Sequence, residues 1–270
     1  MSITNEQASV GVFGGSGFYA FLEDVRYVTL ETPYGPPSDQ IAIAKVGDRD
    51  VAFLPRHGRA HQIPPHAINY RANIYAMKEL GVERILAPTA VGSLQKHIRR
   101  GDFVVVDQFV DRTHSRRDTF FDGPEVSHIA GAQPYCTELR ELVIQTGREQ
   151  NHPIHPTGTV VVINGPRFST LAESRWFTGL GWEVINMTQY PEVALARELG
   201  ICYANISLVT DYDAGLADDP DAEAVNIEEV LRVLADNNDR VKQLLLAAIT
   251  ALPTERGCDC AVQAKAARLS

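Results

Sequence analysis

The strongest constraint on the fold is an alternation along the chain. Short, apolar, β-branched runs are followed by small-residue turns and then by helical patterns. Candidate strands cover 10–13, 27–30, 41–46, 51–54, 84–87, 103–106, 159–163, 183–185 and 203–209. Several are apolar at consecutive positions, so both faces must be covered, as in a sheet between helical layers. Candidate helices cover 67–80, 137–150, 170–180, 191–199 and 226–252. The last carries the helical period in Ile227, Val230, Leu231, Val233, Leu234, Val241, Leu244, Leu245 and Ala248. Pro191 suits a first helical turn, and Gly81 and Gly200 suit the residue after a helix end. The pattern predicts an α/β protein: one domain over 1–256 with a twisted mixed sheet flanked by helices, and a loosely attached tail at 257–270.

Charge narrows the function classes. The net charge is −9, which disfavours nucleic acid or an anionic membrane as partner, because both need a basic footprint. Eight acids and no Lys or Arg lie between Asp211 and Glu229, so almost the whole excess sits in one segment. A small anion is still acceptable, since a few focused cations suffice for one phosphate. No run approaches the roughly 18–20 apolar residues of a membrane span, and the first residues lack the basic and apolar regions of a secretory signal. A cytoplasmic protein is the expectation. Four cysteines are too few for a disulfide scaffold, and the Cys258–Cys260 pair in the tail reads as incidental.

Several strand ends carry chemistry. Gly14-Gly15-Ser16-Gly17 follows the first strand, where glycines let N–H groups approach an anion and Ser16 adds a hydroxyl. No Lys-Ser/Thr follows, so it is not a Walker A loop, and Ala20 occupies the third glycine position of a dinucleotide fingerprint. Arg56-His57-Gly58-Arg59-Ala60-His61 follows another strand and offers a guanidinium for phosphate oxygens. The histidines His57, His61 and His66 do not keep a helical ligand spacing across Gly58 and Pro64-Pro65, so no metal is expected there. Thr89-Ala90 reads as a third strand-end turn. Three such turns point to one pocket, because open α/β sheets bind ligands at the carboxyl ends of their strands. Phe168 has a face that could stack on a planar base, and Ser169 or Thr170 suits a helix N-cap. Asp211 and Asp213 stand where an apolar strand meets a loop, and a desolvated carboxyl there can protonate a leaving group.

Together GGSG, RHGRAH, NYRAN (69–73), TAVGS, GDFVVVDQFVDRT (101–113), NGPRFST with AES, NMT with PE, and TDYD resemble the trimeric purine nucleoside phosphorylase family, and most closely its 5′-methylthioadenosine branch. The resemblance runs from about residue 10 to residue 252. It implies phosphorolysis of 5′-methylthioadenosine to adenine and 5-methylthioribose-1-phosphate, with inorganic phosphate as co-substrate and no metal or organic cofactor. A 6-oxopurine nucleoside phosphorylase, acting on inosine, guanosine or methylthioinosine, is the alternative.

The resemblance also implies roles. Phosphate should meet Ser16, Arg56, His57, Thr89, Ala90 through its backbone, and Thr188. Asn186 and Met187 should lie beside the ribose, with Phe168 and Ser169 at the base. Asp211 should serve N7 as general acid, and Asp213 should read the 6-amino group. A carboxylate accepts from an amino group and repels a carbonyl oxygen, so this pair favours adenine. Ile227 and Val230 should wall the 5′ substituent, and His128 should reach it from a neighbouring subunit, which implies a homotrimer with shared sites.

Overall fold

A computed structural model describes residues 6–14, 24–216 and 226–269. Ser16 and the acidic residues Asp218, Asp219, Asp221 and Glu223 lie outside these described residues. The chain begins with β1 (Val10–Gly14), β2 (Arg26–Val28), β3 (Ile41–Val46), β4 (Arg49–Pro55), α1 (Tyr70–Glu79) and β5 (Arg84–Ser93). It continues through β6 (Phe103–Val104), β7 (Gln108–Arg112), β8 (Val126–Ser127), α2 (Thr137–Glu149), β9 (Ile154–His155), β10 (Thr159–Ile163) and α3 (Leu171–Gly179). It ends with β11 (Val184–Asn186), α4 (Gln189–Glu198), β12 (Cys202–Tyr212), α5 (Ile227–Ala251), α6 (Cys260–Ala266) and β13 (Arg268–Leu269).

The expected mixed sheet is present. Its main path runs β2-β3-β4-β1-β5-β11-β10-β7, and β12 pairs with β5 and β6. Strand alternation splits the core into two layers. Ile41 and Ile43 face α1 and α4 on one side, with Ile74, Met77, Val193 and Leu195. Ala42 and Ala44 face α2 and α5 on the other, with Leu139, Val143, Leu244 and Ala248. Gly81 and Gly200 take positive φ after α1 and α4, as expected. No helix among the described residues is long and apolar enough to cross a membrane.

β1, β4, β5 and β12 are mutually parallel neighbours, so their carboxyl ends share one edge of the sheet. That edge is where the chemistry-bearing segments emerge.

Three expectations are corrected. Thr89-Ala90 is not in a turn: β5 runs on to Ser93. Pro88 is tolerated there because pairing with β1 ends at Leu86, while β12 continues alongside to Tyr212. The tail is not loose. β13 pairs antiparallel with β8, and Cys260 and Ala264 of α6 are buried. Gly200 makes the docking possible, since a Cβ there would lie 3.1 Å from the Ala261 Cα. Nor are the tail cysteines incidental: Cys258 and Cys260 meet Cys136 and Cys202, all four sulfurs within 4.8 Å of one another.

Candidate active site

At the end of β4, Arg56 is buried, and Nε and Nη2 form a two-pronged pair with Glu192 at 2.9 and 2.7 Å. Nη1 donates to the Pro88 carbonyl at 3.2 Å. Each Nη keeps one further N–H that these bonds do not use. Tyr203 OH donates to the same Glu192 at 2.7 Å. The pair holds the guanidinium in one orientation beneath β5. β5 is buried along its length except at Thr89 and Ala90, which are partly exposed. The strand therefore opens at the two positions expected to meet phosphate.

His57 Nδ1 donates to the Ile63 carbonyl at 2.9 Å, and the ring stacks on His61. Burial, helped by the neighbouring Arg56, lowers its pKa to about 4. The ring is therefore neutral near pH 7. A neutral ring facing a carbonyl carries its proton on Nδ1, which leaves Nε2 as an acceptor. That nitrogen can accept a hydrogen bond from a phosphate P–OH group.

Beneath Thr89 lies a polar network. Asn205 Nδ2 donates to the Ala87 carbonyl at 2.7 Å and to Thr89 Oγ1 at 3.1 Å. Ser207 donates to Asn205, Gln189 donates to Ser207, and Tyr135 donates to Gln189. Thr188 is buried at the N-cap of α4.

The other half of the site is built at the ends of β11 and β12. A register shift between Val209 and Asp211 leaves Thr210 unpaired against β5 and turns the strand end, a device that re-aims side chains beside active sites. Gly92 opposite leaves room for the result, since a Cβ there would stand 2.9 Å from Asp211 Oδ2. Asp211 is buried and accepts from Thr210 Oγ1 at 2.7 Å. Burial chiefly, with the nearby Asp213 charge, raises its pKa to about 6. Asp213 is also buried and accepts the Ser169 hydroxyl at 2.6 Å. Thr170, not Ser169, caps α3 in a capping box with Glu173, so Ser169 is free for Asp213.

Asn186 ends β11, and neither its Nδ2 nor its Oδ1 has a hydrogen-bond partner among the described residues, although both are buried. The Met187 carbonyl accepts from Arg116 Nη2 at 2.9 Å. Phe168 is 38% exposed. Ile227, the first residue of α5, is 56% exposed, and Val230 is half-buried. His128 stands apart from the main sheet, exposed just after β8, with its N–H on the Ala267 carbonyl.

Five participants escaped the sequence reading. Glu192 was visible as the one acid beside the buried Pro191 and Val193. Tyr203, Asn205 and Ser207 were visible as polar residues at every second position of an apolar strand, hence on one face. Arg116 had no signal beyond its charge. It joins three loops by donating to the carbonyls of Asn164, Met187 and Tyr190.

The arrangement has a cationic, donor-rich floor, an unpartnered amide and two buried carboxyls at one sheet edge. Comparison with known proteins agrees with it. Residues 9–250 match the Phosphorylase superfamily. The chain is 50% identical over 258 residues to the S-methyl-5'-thioadenosine phosphorylase of Thermofilum pendens, spanning 95% of this chain and 97% of that one. It is 50% identical over 264 residues to the purine nucleoside phosphorylase of Streptomyces coelicolor, spanning 94% and 93%. Its fold matches the methylthioadenosine phosphorylase of Schistosoma mansoni in complex with adenine at a TM-score of 0.89 and 38% identity, over 96% of this chain and 98% of that one. With the match covering nearly the whole domain and the strand-end site alike, the chain belongs to the phosphorylase superfamily.

Proposed function

We propose that this chain catalyses phosphorolysis of 5′-methylthioadenosine, giving adenine and 5-methylthioribose-1-phosphate. One observation carries the reading: Asp211, buried beside Asp213 and raised to about 6, is a carboxyl poised to give up a proton near neutral pH. A phosphate oxygen attacks C1′ of the ribose as the bond to N9 breaks. The bonding pair moves into the purine, and Asp211 delivers a proton to N7. Positive charge on the sugar faces the phosphate dianion, and negative charge on the base meets the acid.

Phosphate sits on the free N–H groups of Arg56, the Thr89 and Thr188 hydroxyls, the Ala90 amide and Ser16, with its P–OH on His57 Nε2. Asn186 offers its amide to the ribose hydroxyls, together with the Met187 main-chain N–H, since the carbonyl is engaged. Phe168 covers the base and Asp213 accepts from the 6-amino group. Ile227 and Val230 line the 5′ substituent, and His128 of the partner subunit completes that end in a homotrimer. The exposure of both Ile227 and His128 in one chain supports this sharing. So read, the chemistry requires no metal or organic cofactor.

Adenine release from methylthioadenosine is measured with and without phosphate. Phosphate-dependent release is expected, and equal release without it would replace phosphorolysis by hydrolysis. The similarity to the Streptomyces purine nucleoside phosphorylase favours one second reading, a 6-oxopurine preference. Higher kcat/KM for inosine than for methylthioadenosine would establish it. Asp213→Asn is expected to erode the preference for 6-amino substrates about tenfold or more, because one hydrogen bond to a substrate group is worth about 1–3 kcal/mol. An unchanged ratio would remove Asp213 from base recognition.

A further inference from the structure

The chain's four cysteines come from three separate places in the sequence and meet on the face of the sheet covered by α2 and α5. Cys136 is the N-cap of α2, Cys202 begins β12, and Cys258 and Cys260 lead into α6. All four Sγ atoms lie within 4.8 Å of one another, and Cys202 and Cys258 are 3.2 Å apart. Cys136, Cys202 and Cys260 are buried, and none of the four is in a disulfide. Four sulfurs around a tetrahedral zinc at about 2.3 Å stand roughly 3.8 Å from each other. The spacing here is already that of a ligand shell, reached by shifts of about an ångström.

We propose that Cys136, Cys202, Cys258 and Cys260 form a structural zinc site that fastens the carboxyl-terminal segment to the domain. The donor set is all thiolate, which selects zinc over hard cations such as magnesium. It is also closed, with four protein ligands, so the ion plays no part in catalysis. Zinc with four thiolates is a dianion, and a cation is in place to balance it: Arg256 Nη1 is 4.0 Å from Cys202 Sγ. Arg256 is fixed there by the Gly200 carbonyl at 2.9 Å. A cavity of about 320 Å3, bordered by Cys136, Cys258, Cys260, Arg197 and Gln263, gives an entry path from solvent. Binding releases the remaining thiol protons. No electrons move, so no oxidant or reductant is required.

The site would do what packing alone does weakly. α6 is a helix of seven residues, too short to be stable by itself. Two of its anchors, Cys258 and Cys260, would be tied covalently through the metal to β12 and α2. β13 follows and pairs with β8, so the same tie supports the segment bearing His128.

The test uses the full chain, purified under reducing conditions from cells grown with zinc. Metal analysis is expected to give one zinc per chain, released when a mercurial titrates the thiols. Replacement by cobalt is expected to produce the intense thiolate-to-cobalt charge-transfer bands and red tetrahedral bands of an all-sulfur site. The Cys258→Ser/Cys260→Ser variant is expected to lose the metal while still releasing adenine. Metal-free protein that takes up neither zinc nor cobalt, whether its thiols are free or joined in disulfides, overturns the proposal. So does zinc that persists in the double variant. The cobalt spectrum of the unaltered chain decides the matter even if the variant does not fold.

Discussion

The two halves of the candidate site differ in how far each is finished before any ligand arrives. On the phosphate side the main polar groups are held in place by one another. Arg56 is gripped by Glu192, Glu192 is bonded by Tyr203, and Thr89 rests on Asn205. On the nucleoside side the groups are left open: Asn186 is unpartnered, Asp211 has a raised pKa, and Phe168 and Ile227 are exposed. Phosphate is small and invariant, so its cradle can be prebuilt with donors held in place. The nucleoside side tolerates unsatisfied groups because the ligand supplies the missing bonds. The free enzyme carries that cost in stability, and binding recovers it.

The largest effect is expected where the prebuilt side is broken. Arg56→Met removes the cation from the floor and strands Glu192. Losing one partner of a buried ion pair costs about 3–5 kcal/mol of stability. Phosphorolysis should fall by about three orders of magnitude or more, the size expected when fixed charge stabilisation at a reacting anion is removed. Adding Glu192→Gln should restore most of the thermal stability and none of the activity. If the double variant recovers activity, Arg56 is structural and the phosphate lies elsewhere.

Asp211→Asn attacks the unfinished side and should separate stability from rate. Loss of a general acid costs about 10²–10⁴ in kcat. The wild-type rate should fall as pH rises above about 6, where Asp211 loses its proton, and the variant should lack that limb. Stability should fall over the same range. Folding raises this carboxyl from 3.8 to about 6, so the native state binds more protons than the unfolded chain in that window. Wild-type stability therefore declines as pH climbs through it, by up to about 3 kcal/mol above it. The variant has no such loss, so its Tm should exceed that of the wild type above about pH 6 and converge with it below about pH 4. A variant no more stable at high pH would place the Asp211 charge in a better-solvated setting than its burial indicates.

The same contrast explains what the sequence made legible. The prebuilt half left local marks, because a strand run ending in Arg56-His57 or Thr89-Ala90 places charge and hydroxyls at one sheet edge whatever the rest of the chain does. Even so, the Thr89 segment read as a turn, since Pro88 and Gly92 break a strand pattern locally. The neighbour β12 overrides that signal, pairing through both positions. Glu192 and the Tyr203-Asn205-Ser207 stripe were written in the sequence as polar residues among apolar ones, but their partners are supplied by tertiary contact. The cysteine cluster shows the limit of local reading. Cys258 and Cys260 are near each other in sequence, while Cys136 and Cys202 are brought to them only by the folding of α2, β12 and α6.

The smallest effect should come from Asn186→Leu, which sharpens the contrast rather than breaking it. In the free enzyme both polar atoms of Asn186 are buried without partners, and an unsatisfied buried polar group costs about 1–3 kcal/mol. Leu is close in volume and carries no such groups. The variant should therefore be as stable as the wild type or more so, which is the reverse of the usual outcome for a buried substitution. The nucleoside KM should rise about tenfold or more, reflecting one or two lost hydrogen bonds to the ribose. The phosphate KM should hardly change, because the Arg56–Glu192 floor is bonded independently of Asn186. A fall in stability with both KM values unchanged would mean that Asn186 serves the fold and not the ligand. The nucleoside side would then be as finished as the phosphate side.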